Sequence, residues 1–154
     1  MLSEKDPAPL VTLTGPDGAD VRLSDFMGQN LVVYFYPKDD TSGCTREAQD
    51  FTALAHDFEA AGAWVIGISK DSAKSHAKFT EKYDLKVRLL TDADGSACEA
   101  FGVWVEKNMY GRKYMGIERA TFLINREGVI EKVWRKVKVA GHAEAVLAAA
   151  RELP

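Results

Sequence analysis

Residues 31–49 read LVVYFYPKDDTSGCTREAQ, and their order decides the fold class. Leu31 to Tyr36 is an unbroken apolar run rich in β-branched and aromatic side chains, the pattern of a strand covered on both faces in a parallel sheet. Pro37 ends it, because proline brings no N–H to a ladder. Lys38 to Gly43 has loop composition. From Thr45 the apolar period changes to Ala48, Phe51, Leu54, Ala55 and Phe58, one stripe of a helix that runs to about Ala61. Gly62 follows where a helix end favours a residue tolerant of positive φ.

Cys44 therefore sits in or just before the first turn of a helix. The backbone N–H groups there lack intrahelical partners, and the dipole favours negative charge. Such a place stabilises a thiolate, which is the reactive form of cysteine. The competing reading is a small, inert core residue. The neighbours favour reactivity: Thr41 and Ser42 can cap the helix and hydrogen-bond a sulfur, and Gly43 permits close backbone approach.

Outward from this centre, Val11 to Leu13 and Val21 to Leu23 flank Gly15-Pro16-Asp17-Gly18 as a short N-terminal β-hairpin. Ser24 and Asp25 can cap a brief turn. Residues 1–8 read as a poorly ordered lead-in. Ala63 to Ser69 is a second buried strand, giving a βαβ unit. Asp71 or Ser72 caps a helix through Tyr83, with Ala73, Ala77 and Phe79 as its expected inner residues. Val87 to Thr91 is a third strand, and Ser96 to Phe101 a short helix. Gly102 to Gly116, aromatic and polar, reads as a loop or irregular strand. Ala120 to Ile124 and Val129 to Arg135 form a hairpin around Gly128. His142 to Leu153 is an amphipathic helix with Ala145, Val146, Ala149 and Leu153 near one face. Strands alternating with helices, then a hairpin and a last helix, make a three-layer α/β domain, with several topologies open.

At 154 residues the chain is one domain with room for a proper core. A net charge of −3 gives no reason to expect nucleic acid or an anionic membrane as partner. No apolar run approaches the roughly 18 residues of a membrane span, and the first residues have no signal-peptide pattern. Two cysteines make no secreted disulfide framework, so the expected compartment is a reducing cytoplasm.

Arg119, just before the apolar run Ala120 to Ile124, can aim a guanidinium inward from a strand start. Near Cys44 it would favour the thiolate and hold negative charge that develops during a reaction there. On the residues alone, a surface arginine paired with Glu118 is the simpler reading. His56, His76 and His142 are scattered without ligand spacing, so neither a metal nor a cofactor is expected. Trp64, Trp104 and Trp134 read as core or pocket walls. A Cys-x-x-Cys oxidoreductase is excluded by Glu47, and a cysteine phosphatase, which needs an arginine six residues on, by Asp50.

Pro37, Thr41 and Cys44 stand as P-x-x-x-T-x-x-C, which resembles the peroxiredoxin active-site signature. The longer string YFYPKDDTSGCTREA is similar to the subfamily called bacterioferritin comigratory protein, or PrxQ. The resemblance continues through GVWVEKNMYG, GIERATFLI and KVAGHAEAVL, from about Pro9 to the last helix. It implies a thioredoxin-like α/β fold, a central mixed sheet flanked by helices, and a monomer. It implies reduction of hydrogen peroxide and organic hydroperoxides through a Cys44 sulfenic acid, recycled by thioredoxin or a small thiol. Residue by residue, it makes Cys44 the peroxidatic nucleophile, gives Thr41 a hydrogen bond to sulfur and peroxide, makes Pro37 a shield from water, and turns the preference for Arg119 towards the site. A non-catalytic redox sensor or thioredoxin-like binding module is the alternative. The chain departs from many relatives in its resolving thiol. Five residues after Cys44 stands Gln49, and the helix from Ser72 to Tyr83 has no cysteine. Cys98 is the remaining candidate, though a buried core thiol accounts for it better.

Overall fold

A computed structural model describes residues 2–154. Its elements run β1 (Thr12–Thr14), β2 (Asp20–Arg22), β3 (Asn30–Phe35), α1 (Ser42–Ala53), α2 (Ala55–Ala60), β4 (Ala63–Ser69), α3 (Ala73–Tyr83), β5 (Arg88–Thr91), α4 (Ser96–Ala100), β6 (Trp104–Met109), β7 (Arg112–Ile117), β8 (Ala120–Ile124), β9 (Ile130–Trp134) and α5 (His142–Arg151).

The apolar run at 31–36 supplies the middle of the fold. β3 pairs in parallel with β4 and antiparallel with β8 inside a seven-stranded mixed sheet of order β2-β1-β5-β4-β3-β8-β9. Every residue of β3 is buried because alternate side chains enter different cores. Leu31, Val33 and Phe35 join Phe101, Phe122 and Cys98 on one face. Val32, Tyr34 and Tyr36 join Cys44, Phe51, Phe58 and Val146 on the other. The N-terminal hairpin is present as β1 and β2, followed by a 3-10 turn, Leu23–Phe26, in which the Asp25 carboxylate accepts from the Arg22 N–H.

Four expectations change. The helix after Cys44 breaks at Leu54 (φ −101°, ψ 11°), so two shorter helices keep Phe51 and Phe58 both buried with ring centroids 5.8 Å apart. The inner residues of α3 are His76 and Phe79, whereas Ala77 is exposed; a polar knot beneath the helix gives the histidine partners that no hydrophobic pattern reveals. α5 buries His142, Ala143, Val146, Leu147 and Ala150 and exposes Ala145. Its register follows the contact of His142 Nε2 with Thr121 Oγ1 at 2.8 Å. Gly102 to Gly116, expected as a loop or irregular strand, is regular strand. It holds the two-stranded ribbon β6–β7, closed by Tyr110 and Gly111 with φ of 53° and 78°, the sign a two-residue primed turn requires. The ribbon is largely exposed, so it lacks the alternation that marks a half-buried strand.

The lead-in is also better tied than expected. Lys5 N–H donates to the Ile130 carbonyl at 2.8 Å, Ile130 N–H to that of Asp6 at 2.9 Å, and Ala8 N–H to that of Gly128 at 2.9 Å. Residues 5–8 thus lie against the start of β9. Met1 lies outside the described residues.

Candidate active site

Cys44 is the third residue of α1 and 2% exposed. The chain leaves β3 at Phe35, turns at the exposed Pro37 and reaches Asp40 with a φ of 58°. Thr41 is the residue before the helix, and its carbonyl accepts from Thr45 N–H at 2.8 Å. The expected side-chain cap is not made. The Thr41 hydroxyl donates instead to the Lys38 carbonyl at 2.8 Å, closing the loop on itself and leaving its oxygen free to accept. The uncapped N–H groups of α1 keep their pull on negative charge.

Arg119 reaches this place by strand register. β8 pairs with β3 as far as Phe35 opposite Ala120, so Arg119 falls one step beyond, level with Tyr36. Its Nη2 donates to Cys44 Sγ at 3.3 Å, and its Nη1 to Glu47 Oε1 at 2.6 Å. The simpler sequence reading of Arg119 gives way here: Glu118 accepts from Arg135 at 2.8 Å instead. Gly43 makes room, since a Cβ there would lie 3.2 Å from Arg119 Nη2.

Glu47 is the residue that sequence reasoning missed. It is 1% exposed, one turn beyond Cys44, and its Oε2 has no hydrogen-bond partner among the described residues. Burial pushes its carboxyl up to about 7, against the pull of Arg119. The visible signal was an acid inside an apolar helical stripe, between Cys44, Ala48 and Phe51. Lys107 of the ribbon also faces the site: burial and the Arg119 charge lower its pKa, while the Cys44 charge opposes them.

Cys98 lies across the sheet. It belongs to the core of Leu31, Val33 and Phe35, whereas Cys44 belongs to that of Val32, Tyr34 and Tyr36. Burial first, then the nearby Asp92, pushes its thiol well up. Both thiols are free. His56 is exposed on α2. Trp64 is 47% exposed rather than core, with one edge on Phe26. Trp104 is half-buried beneath the Lys70 ammonium, 4.5 Å from the ring centroid.

The histidines are less scattered than the sequence suggests. His76, Asp39 and Asp71 bring donor atoms within 4.8 Å of one another, but those atoms are engaged in hydrogen bonds. Asp39 N–H and Ser69 Oγ donate to Asp71 Oδ2 at 2.8 and 2.7 Å, and His76 Nδ1 stands 2.8 Å from Asp39 Oδ2.

A thiol at a helix N-terminus with a guanidinium on its sulfur is equipped for nucleophilic attack on oxygen. The AhpC/TSA family model matches residues 5–133, and the chain belongs to that family. Within it the chain is a peroxiredoxin of the Bcp/PrxQ group, a thiol-dependent peroxidase with a thioredoxin-like fold. It is 53% identical to the peroxiredoxin Bcp of Xanthomonas campestris over 132 residues, covering 86% of this chain and 82% of that protein. The Bacillus subtilis peroxiredoxin Bcp is 47% identical over 146 residues, covering 95% and 93%. A solved structure of Xanthomonas campestris bacterioferritin comigratory protein, from a study of its alkyl peroxide reduction with trapped intermediate and ligand complexes, superposes with a TM-score of 0.87 at 47% identity, covering 95% of this chain and 98% of that one. No described helix is long and apolar enough to cross a membrane.

Proposed function

We propose that Cys44 is the peroxidatic nucleophile and that Arg119 and Thr41 complete its site. The observation that carries this reading is the Arg119 Nη2 to Cys44 Sγ hydrogen bond of 3.3 Å at the N-terminus of α1. The thiolate attacks one oxygen of ROOH. The S–O bond forms as the O–O bond breaks, and the attacked oxygen keeps its hydrogen to give Cys44–SOH. The leaving oxygen departs as RO⁻, held by Arg119 as its charge grows, and takes a proton from solvent to become ROH. Thr41 accepts the hydrogen bond of the incoming peroxide, and Pro37 limits water at the loop. Hydrogen peroxide and alkyl hydroperoxides both suit this chemistry.

A thiol then attacks Cys44–SOH, releasing water and forming a mixed disulfide, which a second thiol cleaves to restore Cys44. With Cys98 on the other face of the sheet, recycling uses an external thiol, either thioredoxin or a small thiol, in a cytoplasmic monomer that forms one domain. Without reductant the sulfur climbs towards sulfinic acid. The test is peroxide consumption coupled to thioredoxin. Cys44→Ser is expected to fold and lose turnover completely, and wild-type turnover in that variant would overturn the assignment. Quantitative Cys44–Cys98 disulfide after stoichiometric peroxide would overturn the one-cysteine cycle. Wild-type protein that is oxidised yet never turns over with any thiol would instead be a sensor.

A further inference from the structure

The loop that delivers Cys44 is held by four side chains of α3 together with Tyr36 and Asp71. Asp39, 8% exposed, accepts from the Tyr36 hydroxyl at 2.6 Å and from Ser75 Oγ at 2.8 Å, and its Oδ2 stands 2.8 Å from His76 Nδ1. Its N–H donates to Asp71 Oδ2. The next residue, Asp40, in the left-handed region, accepts from Lys82 Nζ at 2.8 Å and from the Tyr83 hydroxyl at 2.6 Å. Two residues later α1 begins.

Both ring nitrogens of His76 are engaged. Its Nε2 faces the Leu90 carbonyl at 3.2 Å, which only accepts, so Nε2 carries a hydrogen. Its Nδ1 faces the Asp39 carboxylate. Burial alone would raise the Asp39 pKa, but hydrogen bonds from His76, Tyr36 and Ser75 and the His76 charge bring it below the usual value. The carboxylate is thus ringed by Tyr36, Ser75 and His76. His76, 4% exposed, joins the loop to the Leu90 carbonyl through its two ring nitrogens. Removing His76 leaves a buried carboxylate short of a hydrogen-bond partner, a larger penalty than losing a surface contact. The loop would move to solvate it.

We propose that His76, through its buried hydrogen bond with Asp39, is a positioning residue for the peroxidase reaction: it holds residues 37–41, and with them the first turn of α1, where Cys44 meets Arg119. The proposal rests on Cys44 being the nucleophile. It makes attack on peroxide and rescue by a protein thiol respond in opposite directions. Attack needs the closed loop, which keeps Cys44 beside Arg119. Reduction by a protein thiol needs an incoming sulfur aligned on a side chain that is 2% exposed, and so needs the loop away.

The experiment measures two rate constants by stopped flow in His76→Gln and in the double variant Lys82→Ala/Tyr83→Phe. The second variant changes only outlying side chains of α3 and is expected to keep the fold, so the proposal stays testable if the buried variant unfolds. Oxidation of Cys44 by peroxide is expected to slow by about tenfold in His76→Gln and less in the double variant. Reduction of Cys44–SOH by a protein dithiol is expected to quicken severalfold, as is alkylation of reduced Cys44 by iodoacetamide. If the folded variants keep both rate constants, or if oxidation, reduction and alkylation all fall together, the positioning role is overturned. Retained turnover in Cys44→Ser would remove the underlying assignment, whereas loss there with unchanged His76 variants removes the positioning role alone.

Discussion

Cys44 and Arg119 are far apart in sequence and joined by one hydrogen bond of 3.3 Å. A fixed guanidinium donor aimed at charge that develops during reaction is worth about 10²–10³ in rate in comparable sites. Arg119→Met is therefore expected to slow oxidation by at least about a hundredfold. An unchanged rate would remove Arg119 from the site. Thr41 makes a separable case. Its hydroxyl closes the loop onto Lys38 and caps no helix N–H. Thr41→Val keeps the shape and deletes the hydroxyl, so peroxide attack should slow by about tenfold, the scale of one lost hydrogen bond. The melting temperature should shift little; a large shift without a rate effect would make Thr41 a scaffold residue. At this scale Cys44 was legible from its motif, whereas Arg119 was turned towards the site only by the family resemblance, since the residues alone favoured a surface pairing with Glu118. Glu47 was missed because its one signal, an acid inside an apolar helical stripe, does not by itself tell a buried carboxylate from an exposed one.

At the scale of elements, α1 is a compromise between helix and site. Its second residue, Gly43, is poor helix material, and it stands where a Cβ would press on Arg119 Nη2 at 3.2 Å. Gly43→Ala should leave stability unchanged or raise it by up to about 1 kcal/mol. It should nonetheless reduce peroxide turnover by displacing the guanidinium. Chemical denaturation and steady-state rates on the same sample check this, and a variant that is both stable and fully active would show that Arg119 yields freely. The strands of the central sheet were legible because apolar runs of strand length sit between turn signals. The β6–β7 ribbon was missed because a strand exposed on both faces has no reason to alternate apolar and polar residues. The break at Leu54 was missed because Phe51 and Phe58 fit one helical stripe equally well.

Across the whole molecule, two buried groups set opposing pH slopes. Glu47 is raised from 4.5 to about 7, chiefly by burial. The folded state thus holds its proton more tightly than the unfolded chain. Its contribution to stability is complete below about 4.5 and is lost as pH rises towards 7. His142 is lowered from 6.5 to about 4, by burial first and the Arg119 charge second. Its contribution is complete above about 6.5 and is lost as pH falls towards 4. Between those limits the two slopes oppose, each at most about 1.4 kcal/mol per pH unit. Glu47→Gln should make urea stability climb with pH across this window relative to wild type, and His142→Gln should make it decline. Parallel profiles for all three proteins would contradict the assignment of these two groups. The sequence carried the layered α/β plan, because chain order and apolar runs constrain it. It did not carry the joining of distant polar residues, such as His142 with Thr121 or His76 with Asp39.

The segment lying against the start of β9 has a meaning beyond its own hydrogen bonds. β9 is an outer strand of the sheet, and an outer strand offers unpaired backbone groups to any other chain. Residues 5–8 occupy those groups at Ile130, and Pro7, bridged to Val129, has no N–H to offer a further strand. Further along the same rim, Glu131 and Lys132 place charges of both signs. The rim is thus plugged at one end and charged beside it. The protein is thereby guarded, at this rim, against joining its own copies into aggregates.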